Sequence, residues 1–189
     1  MKYRTIVADP PWEYDRKTGL TTRGYKPSTA EAHYPTMPMA EIAALPVTDL
    51  AEDDAHLYLW VTSPRLFGDR MAGAADPGPR EIMAAWGFAY KTTLVWVKPG
   101  WGMGWWFRNN HEFVLFGVRG KLPIPQEKRR GSVITGGKRE HSRKPDSFYD
   151  LVEAVSPGPY LELFARRQRL GWDTWGDEAL EHVELEASP

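Results

Sequence analysis

Apolar residues in this chain fall in short, nearly uninterrupted runs: 5–8 (TIVA), 55–61 (AHLYLWV), 90–97 (YKTTLVWV), 113–118 (FVLFGV) and 160–164 (YLELF). Runs of that length, bounded by Pro, Gly and charged residues, predict strands covered on both faces. A last short strand is expected at 172–175. Helical spacing fills the gaps. A short helix should run from Pro38 to Leu45, capped by Thr36 and started by proline. The stretch between 61 and 90 reads as helical but broken in two by Asp76-Pro77-Gly78-Pro79. Residues 145–155 place Phe148, Leu151, Val152 and Val155 on one helical face. Residues 13–34 and 119–143 are polar or rich in Gly, Lys and Arg and read as loops.

Buried strands alternating with helices imply an α/β fold, a mainly parallel central sheet flanked by helices. A chain of 189 residues holds one substantial core, so residues 1–178 are expected to form a single domain, with 179–189 an acidic tail. Ligands gather at the carboxyl ends of strands in such sheets. Two of those ends carry chemistry here: Asp9, and Glu162 to Arg166.

Composition narrows the options. Hydrophobic residues make up 42% and charged residues 26%, which suits a packed domain. No apolar run approaches the ~18 residues of a membrane span, so no membrane partner is expected. The chain enters a strand pattern at Tyr3, leaving no room for a signal peptide, and a cytoplasmic location is expected. There is no cysteine. That removes disulfides, thiolate metal sites and the cysteine adduct needed to methylate a cytosine ring carbon. The five histidines, at 33, 56, 111, 141 and 182, have no metal-binding spacing, and no metal is expected.

The net charge of −1 conceals an asymmetry. Residues 121–147 carry eight Lys/Arg against three acids, and no Lys or Arg follows Arg169. A basic segment in a neutral protein is a candidate phosphate-binding surface, although Lys128-Arg129-Arg130 reads equally as a solvated run. Trp101, Trp105 and Trp106 lie in a Gly-rich loop, 99–110, where they stack bases or meet a partner protein.

Asp9-Pro10-Pro11-Trp12 ends the first apolar run. An exocyclic amino nitrogen on a base is a poor nucleophile because its lone pair is delocalised into the ring. Acceptors aimed at its two N–H bonds favour the rehybridisation that attack requires. The Asp9 carboxylate supplies one acceptor, and the carbonyl of Pro10, held by two ring-locked φ angles, supplies the other. The Trp12 ring offers a face for an extruded base. In-line displacement of a methyl group needs neither a metal nor a covalent enzyme intermediate, and positioning supplies much of the rate.

With Tyr34-Pro35-Thr36-Met37, Leu59-Trp60-Val61-Thr62, Val95-Trp96-Val97-Lys98, His141-Ser142-Arg143-Lys144-Pro145-Asp146 and Glu162-Leu163-Phe164-Ala165-Arg166 following in order, the chain resembles the MT-A-type (DPPW) adenine N6-methyltransferases, in their compact bacterial or phage branch. The resemblance implies a permuted Rossmann-like methyltransferase fold, with the catalytic strand ahead of the cofactor strand. It implies S-adenosyl-L-methionine as cofactor and the N6 amino group of adenine in nucleic acid as target, DNA favoured and RNA the alternative. By resemblance Asp9, Pro10, Pro11 and Trp12 are catalytic. Lys144 meets the cofactor's methionine carboxylate, and Glu162, Leu163 and Phe164 lie along the cofactor. Arg166, Gln168 and Arg169 reach its ribose, with Asp177 and Glu178 near the ribose or adenine. Tyr34, Arg139 and Ser142 belong to the target-base pocket and the loop closing it. Gln168, Arg169, Asp177 and Glu178 stand where the eukaryotic relatives carry other residues. The 99–110 loop corresponds to a partner-binding loop in eukaryotic relatives, which implies a homodimer. A non-catalytic scaffold of the same fold is the rival class, and the intact Asp9 motif speaks against it. No G-x-G-x-x-G supports a dinucleotide enzyme.

Overall fold

The computed structural model describes residues 1–13, 36–67, 77–102, 106–136 and 144–176. Seven strands form one sheet: β1 Tyr3–Ala8, β2 Ala51–Val61, β3 Ala89–Val97, β4 His111–Arg119, β5 Val133–Thr135, β6 Tyr160–Leu163 and β7 Trp172–Trp175. Their spatial order is β5-β3-β4-β2-β1-β6-β7. β1 runs parallel to β2 and β6, β6 to β7, and β3 to β5, whereas β4 is antiparallel to both β2 and β3. The sheet is therefore parallel apart from β4, as the apolar runs implied. The strand that ends at Asp9 precedes the last strand pair in sequence yet lies beside it, the permuted order expected.

Alternation along the strands divides two apolar layers. Ile6 and Ala8 of β1 and Leu57, Leu59 and Val61 of β2 pack with α1 (Met39–Ala44), α2 (Val47–Leu50) and α3 (Pro79–Ala85) on one face. Val7, Tyr58, Trp60 and Trp96 pack with α4 (Asp146–Val155) on the other. α4 buries Phe148, Tyr149, Val152 and Val155, with Leu151 half-buried, so its core face is turned slightly toward Tyr149 from the one expected. α3 lies close on the sheet because Gly117 of β4 has no side chain: a Cβ there would come 2.5 Å from the Met83 methyl.

Two expectations fail. Thr36 does not cap α1; Pro38 occupies the cap position with no side-chain hydrogen bond, because its fixed φ of −56° already starts the helix. The 119–143 stretch is not all loop. It contains β5, three residues added to the β3 edge, with Val95 N–H donating to Ser132 O at 2.8 Å. The second half of the 61–90 helical region is α3; its first described part is a single 3-10 turn, Ser63–Arg65. Among the described residues no helix is long and apolar enough to cross a membrane. The boundary expected near 178 lies outside the described residues.

Candidate active site

β1 ends where Asp9 meets two prolines, and the turn that follows is pinned on three sides. Asp9 N–H donates to Leu163 O (3.4 Å), Trp12 N–H to Pro10 O (2.9 Å), and Met37 N–H to Pro11 O (2.9 Å). Pro10 O thus spends one lone pair inside the turn, and a carbonyl has a second to offer. The register pairs Ala8 with Leu163, so Asp9 and the Glu162–Phe164 segment share one edge of the sheet.

Because β4 runs backwards, its first residues reach that same edge. Glu112 stands next to Lys144, the residue that leads into α4. Lys144 Nζ lies 2.8 Å from Asp9 Oδ2 and 3.0 Å from Glu112 Oε2, and 4.7 Å from the centroid of the Trp60 ring. Lys98, just past β3, pairs with Glu112 as well. Burial raises the Glu112 carboxyl, but the two ammoniums prevail and hold it at about 2. Burial likewise disfavours the Lys144 cation, and the charges of Asp9 and Glu112 outweigh it, keeping that ammonium well above the usual lysine range. The network is Asp9–Lys144–Glu112–Lys98, with two charges of each sign.

Glu162 faces the same layer from β6. Tyr149 of α4 donates its hydroxyl to Glu162 Oε1 at 2.6 Å, while Oε2 is buried with no hydrogen-bond partner among the described residues. Burial, reinforced by the nearby Asp9 charge and only partly offset by Tyr149, pushes this carboxyl up to about 7. Leu163 points into the opposite layer and is wholly enclosed, so any ligand it meets sees its backbone. Phe164 leaves the strand with a φ of 62°, the left-handed region a non-glycine residue seldom adopts, and its ring packs edge-on against Trp175. The turn stays tight because Ala165 N–H donates to Trp175 O (2.9 Å) and Gly176 lies so near that a Cβ would sit 2.5 Å from Ala165 N.

Two expected roles look different in place. Trp12 is only 4% exposed, and its indole N–H donates to Trp60 O at 3.1 Å. Its face is enclosed in the α1–α3 layer, so the structure leaves it no room to stack an extruded base and has it brace the Asp9 turn instead. Arg169 answers acids of α4, Glu153 at 2.7 Å and Asp150 at 2.9 Å, and its guanidinium lies 5.3 Å from the Tyr149 ring. A ribose would have to share it. Arg166 is half-buried and Gln168 exposed on the same loop. Tyr34, Arg139, Ser142, Asp177 and Glu178 lie outside the described residues, as does Trp105.

Glu112 was missed. The sequence signal was there, an acid immediately ahead of the FVLFGV run, but its burial depends on the reversed direction of β4. Among the described residues no cluster of three or more His, Asp or Glu could hold a metal ion.

A family model described as MT-A70 matches residues 3–178. Type II methyltransferase M.MunI of Mycoplasma sp is 34% identical across 94% of this chain and 78% of its own length. The N(6)-adenosine-methyltransferase subunit METTL3 of Danio rerio and the catalytic subunit METTL3 of Homo sapiens are each 30% identical across 94% of this chain. The chain spans 28% of the length of those two relatives. A match from the first strand through the last, with the Asp9 turn and the β6 end side by side in the sheet, leaves one conclusion: this chain belongs to the MT-A70 family of methyltransferases.

Proposed function

We propose that the chain transfers the methyl group of S-adenosyl-L-methionine to the N6 amino group of adenine in nucleic acid, with DNA as the polymer. The observation that carries this reading is the Asp9 carboxylate at the end of β1, fixed at 2.8 Å by Lys144 and set beside the end of β6. DNA is placed first on the resemblance to the compact bacterial or phage branch, with which the 34% identity to a type II methyltransferase, against 30% to the N(6)-adenosine enzymes, agrees.

The residues suit the cofactor. The unpartnered Glu162 Oε2 calls for a donor such as an ammonium or a hydroxyl. Lys144 carries three N–H donors, of which Asp9 and Glu112 engage two, leaving one for a carboxylate. When bound, S-adenosyl-L-methionine supplies an electrophilic methyl group on sulfur. Asp9 accepts a hydrogen bond from the adenine amino group and takes its proton, and the second lone pair of Pro10 O accepts from the other N–H. Lys144 holds one oxygen of Asp9 so that the other faces the base. The braced prolines keep both acceptors in place without reorganisation, where preorganised dipoles act most strongly.

The test is transfer from labelled cofactor to single- and double-stranded DNA and to RNA, with the modified nucleoside identified by mass spectrometry. N6-methyladenosine in RNA alone would reassign the polymer. No transfer to any of them, by protein that binds cofactor normally, would sink the reading.

A further inference from the structure

Exposed aromatic rings are unevenly placed on this molecule. Trp101 (82% exposed), Trp106 (90%) and Phe107 (87%) all belong to the connection between β3 and β4, and Phe67 (78%) follows the 3-10 turn after β2. β2 and β3 end, and β4 begins, at the sheet edge where Asp9 sits. These are the four most exposed rings among the described residues, and all leave from the catalytic edge. Rings of this size are ordinarily buried within the fold, and a cluster left exposed marks an interaction site.

The β3–β4 connection is also fastened to the catalytic carboxylate. Lys98 N–H donates to Asn110 O at 2.6 Å and Gly102 N–H to Asn109 O at 2.9 Å, closing its base. From there Lys98, Glu112 and Lys144 lead to Asp9 through successive ion pairs. Ser63 Oγ meets His111 Nε2 at 3.2 Å, tying the segment that bears Phe67 to the same base. From Lys98 to His111 the connection has no acid, and it carries Lys98 and Arg108.

We propose that Trp101, Trp106, Phe107 and Phe67 form a stacking rim for the unpaired nucleotides that flank the target base, with Arg108 meeting their phosphates. The inference rests on the nucleic-acid reading above and deepens it. Base-on-aromatic stacking is indifferent to sequence, since every base has a π face, and it needs rings that are exposed and rigidly rooted rather than buried. Trp12 is enclosed and offers no face to the nucleic acid, so any ring contact with the flanking nucleotides falls to the exposed aromatics. A polyanion fits an acid-free, cationic loop running into the catalytic edge. A second copy of the chain packed symmetrically on this loop would bring its own Arg108 against that of the first.

The experiment uses the full chain and single-stranded oligonucleotides carrying one adenine with 2-aminopurine beside it. Trp101→Ala, Trp106→Ala and Phe107→Ala are each expected to weaken oligonucleotide binding roughly tenfold. They should lose the 2-aminopurine quenching on binding and raise KM rather than lower kcat, with cofactor affinity unchanged. Trp106→Tyr, which keeps a ring, should restore most of the binding. Sedimentation should give the same mass for wild type and variants. If wild type methylates but the alanine variants keep its affinity and KM, the rim is wrong and the function stands. If wild type is a dimer that these variants convert to monomers, the rings are a self-association surface and the rim is wrong. If wild type neither binds nor methylates any oligonucleotide, both readings fall together.

Discussion

Lys144 Nζ stands 2.8 Å from Asp9 Oδ2 and 3.0 Å from Glu112 Oε2, so one ammonium joins the carboxylate that ends β1 to the carboxylate that begins β4. Asp9, the proposed proton acceptor, is thereby held by its side chain as well as by the turn that carries it. Asp9→Ala is expected to lower methyl transfer by about 10²–10⁴-fold, the range for losing a positioned proton acceptor, and to leave cofactor affinity roughly intact. Lys144→Ala should weaken cofactor binding and also lower stability by about 3–5 kcal/mol, because two enclosed carboxylates are left without their shared cation. Cofactor titration calorimetry and thermal melts of both variants check this division; equal loss of binding in the two would contradict it.

The Glu162 carboxyl, pushed up to about 7 from its ordinary 4.5, makes stability fall as pH rises. Below pH 4.5 the group is neutral in folded and unfolded chains alike. Between 4.5 and about 7 the unfolded chain ionises while the folded one resists, and above 7 the penalty is constant. At 1.36 kcal/mol per unit it is on the order of 3 kcal/mol. Glu162→Gln should therefore be more stable than wild type at pH 8 in urea unfolding, with the difference shrinking toward pH 4.5. A gap that stays constant across that window means burial is not what perturbs this group.

Trp12→Phe separates bracing from stacking. Losing the indole N–H strands the Trp60 carbonyl and opens a small void, which should cost about 1–3 kcal/mol in the melt. KM for an oligonucleotide should be unchanged. A raised KM with unchanged stability would return the ring to the substrate.

Arg169→Ala tests whether this side chain serves the cofactor or the fold. Its pairs with Glu153 and Asp150 are partly solvated, so the expected loss is about 1 kcal/mol. Cofactor Kd should not move. A marked weakening of cofactor binding without a change in melting would show that Arg169 leaves α4 for the ribose.

Much of this was legible in the residues. The unbroken TIVA and AHLYLWV runs announce strands covered on both faces, and Asp-Pro-Pro after the first of them has to end it. What could not be read depends on neighbours distant in sequence. Val133–Thr135 is too short, between glycines, to look like a strand until β3 presents an unpaired edge. The reversal of β4 is invisible in FVLFGV, and with it went Glu112, which looks like a solvated acid ahead of a strand. Trp12 looks like a free ring because nothing local shows that Met37, Trp60 and α1 close around it. Arg169 looks like a ligand contact because its acids lie 16 and 19 positions earlier, on another element.

The pairing of β1 with β6 also has a consequence in time. Thr5 waits for Tyr160, and Asp9 for Leu163. A ribosome adding roughly 5–20 residues per second leaves β1, an inner strand of the finished sheet, with one backbone edge open for on the order of ten seconds. The Asp9 turn is made early and lacks its β6 partner until most of the sheet has emerged, so on the proposed reading methyl transfer is expected only once β6 has docked. By the same logic, two gene fragments divided between β5 and α4 should each be silent and regain methyl transfer only when their products meet.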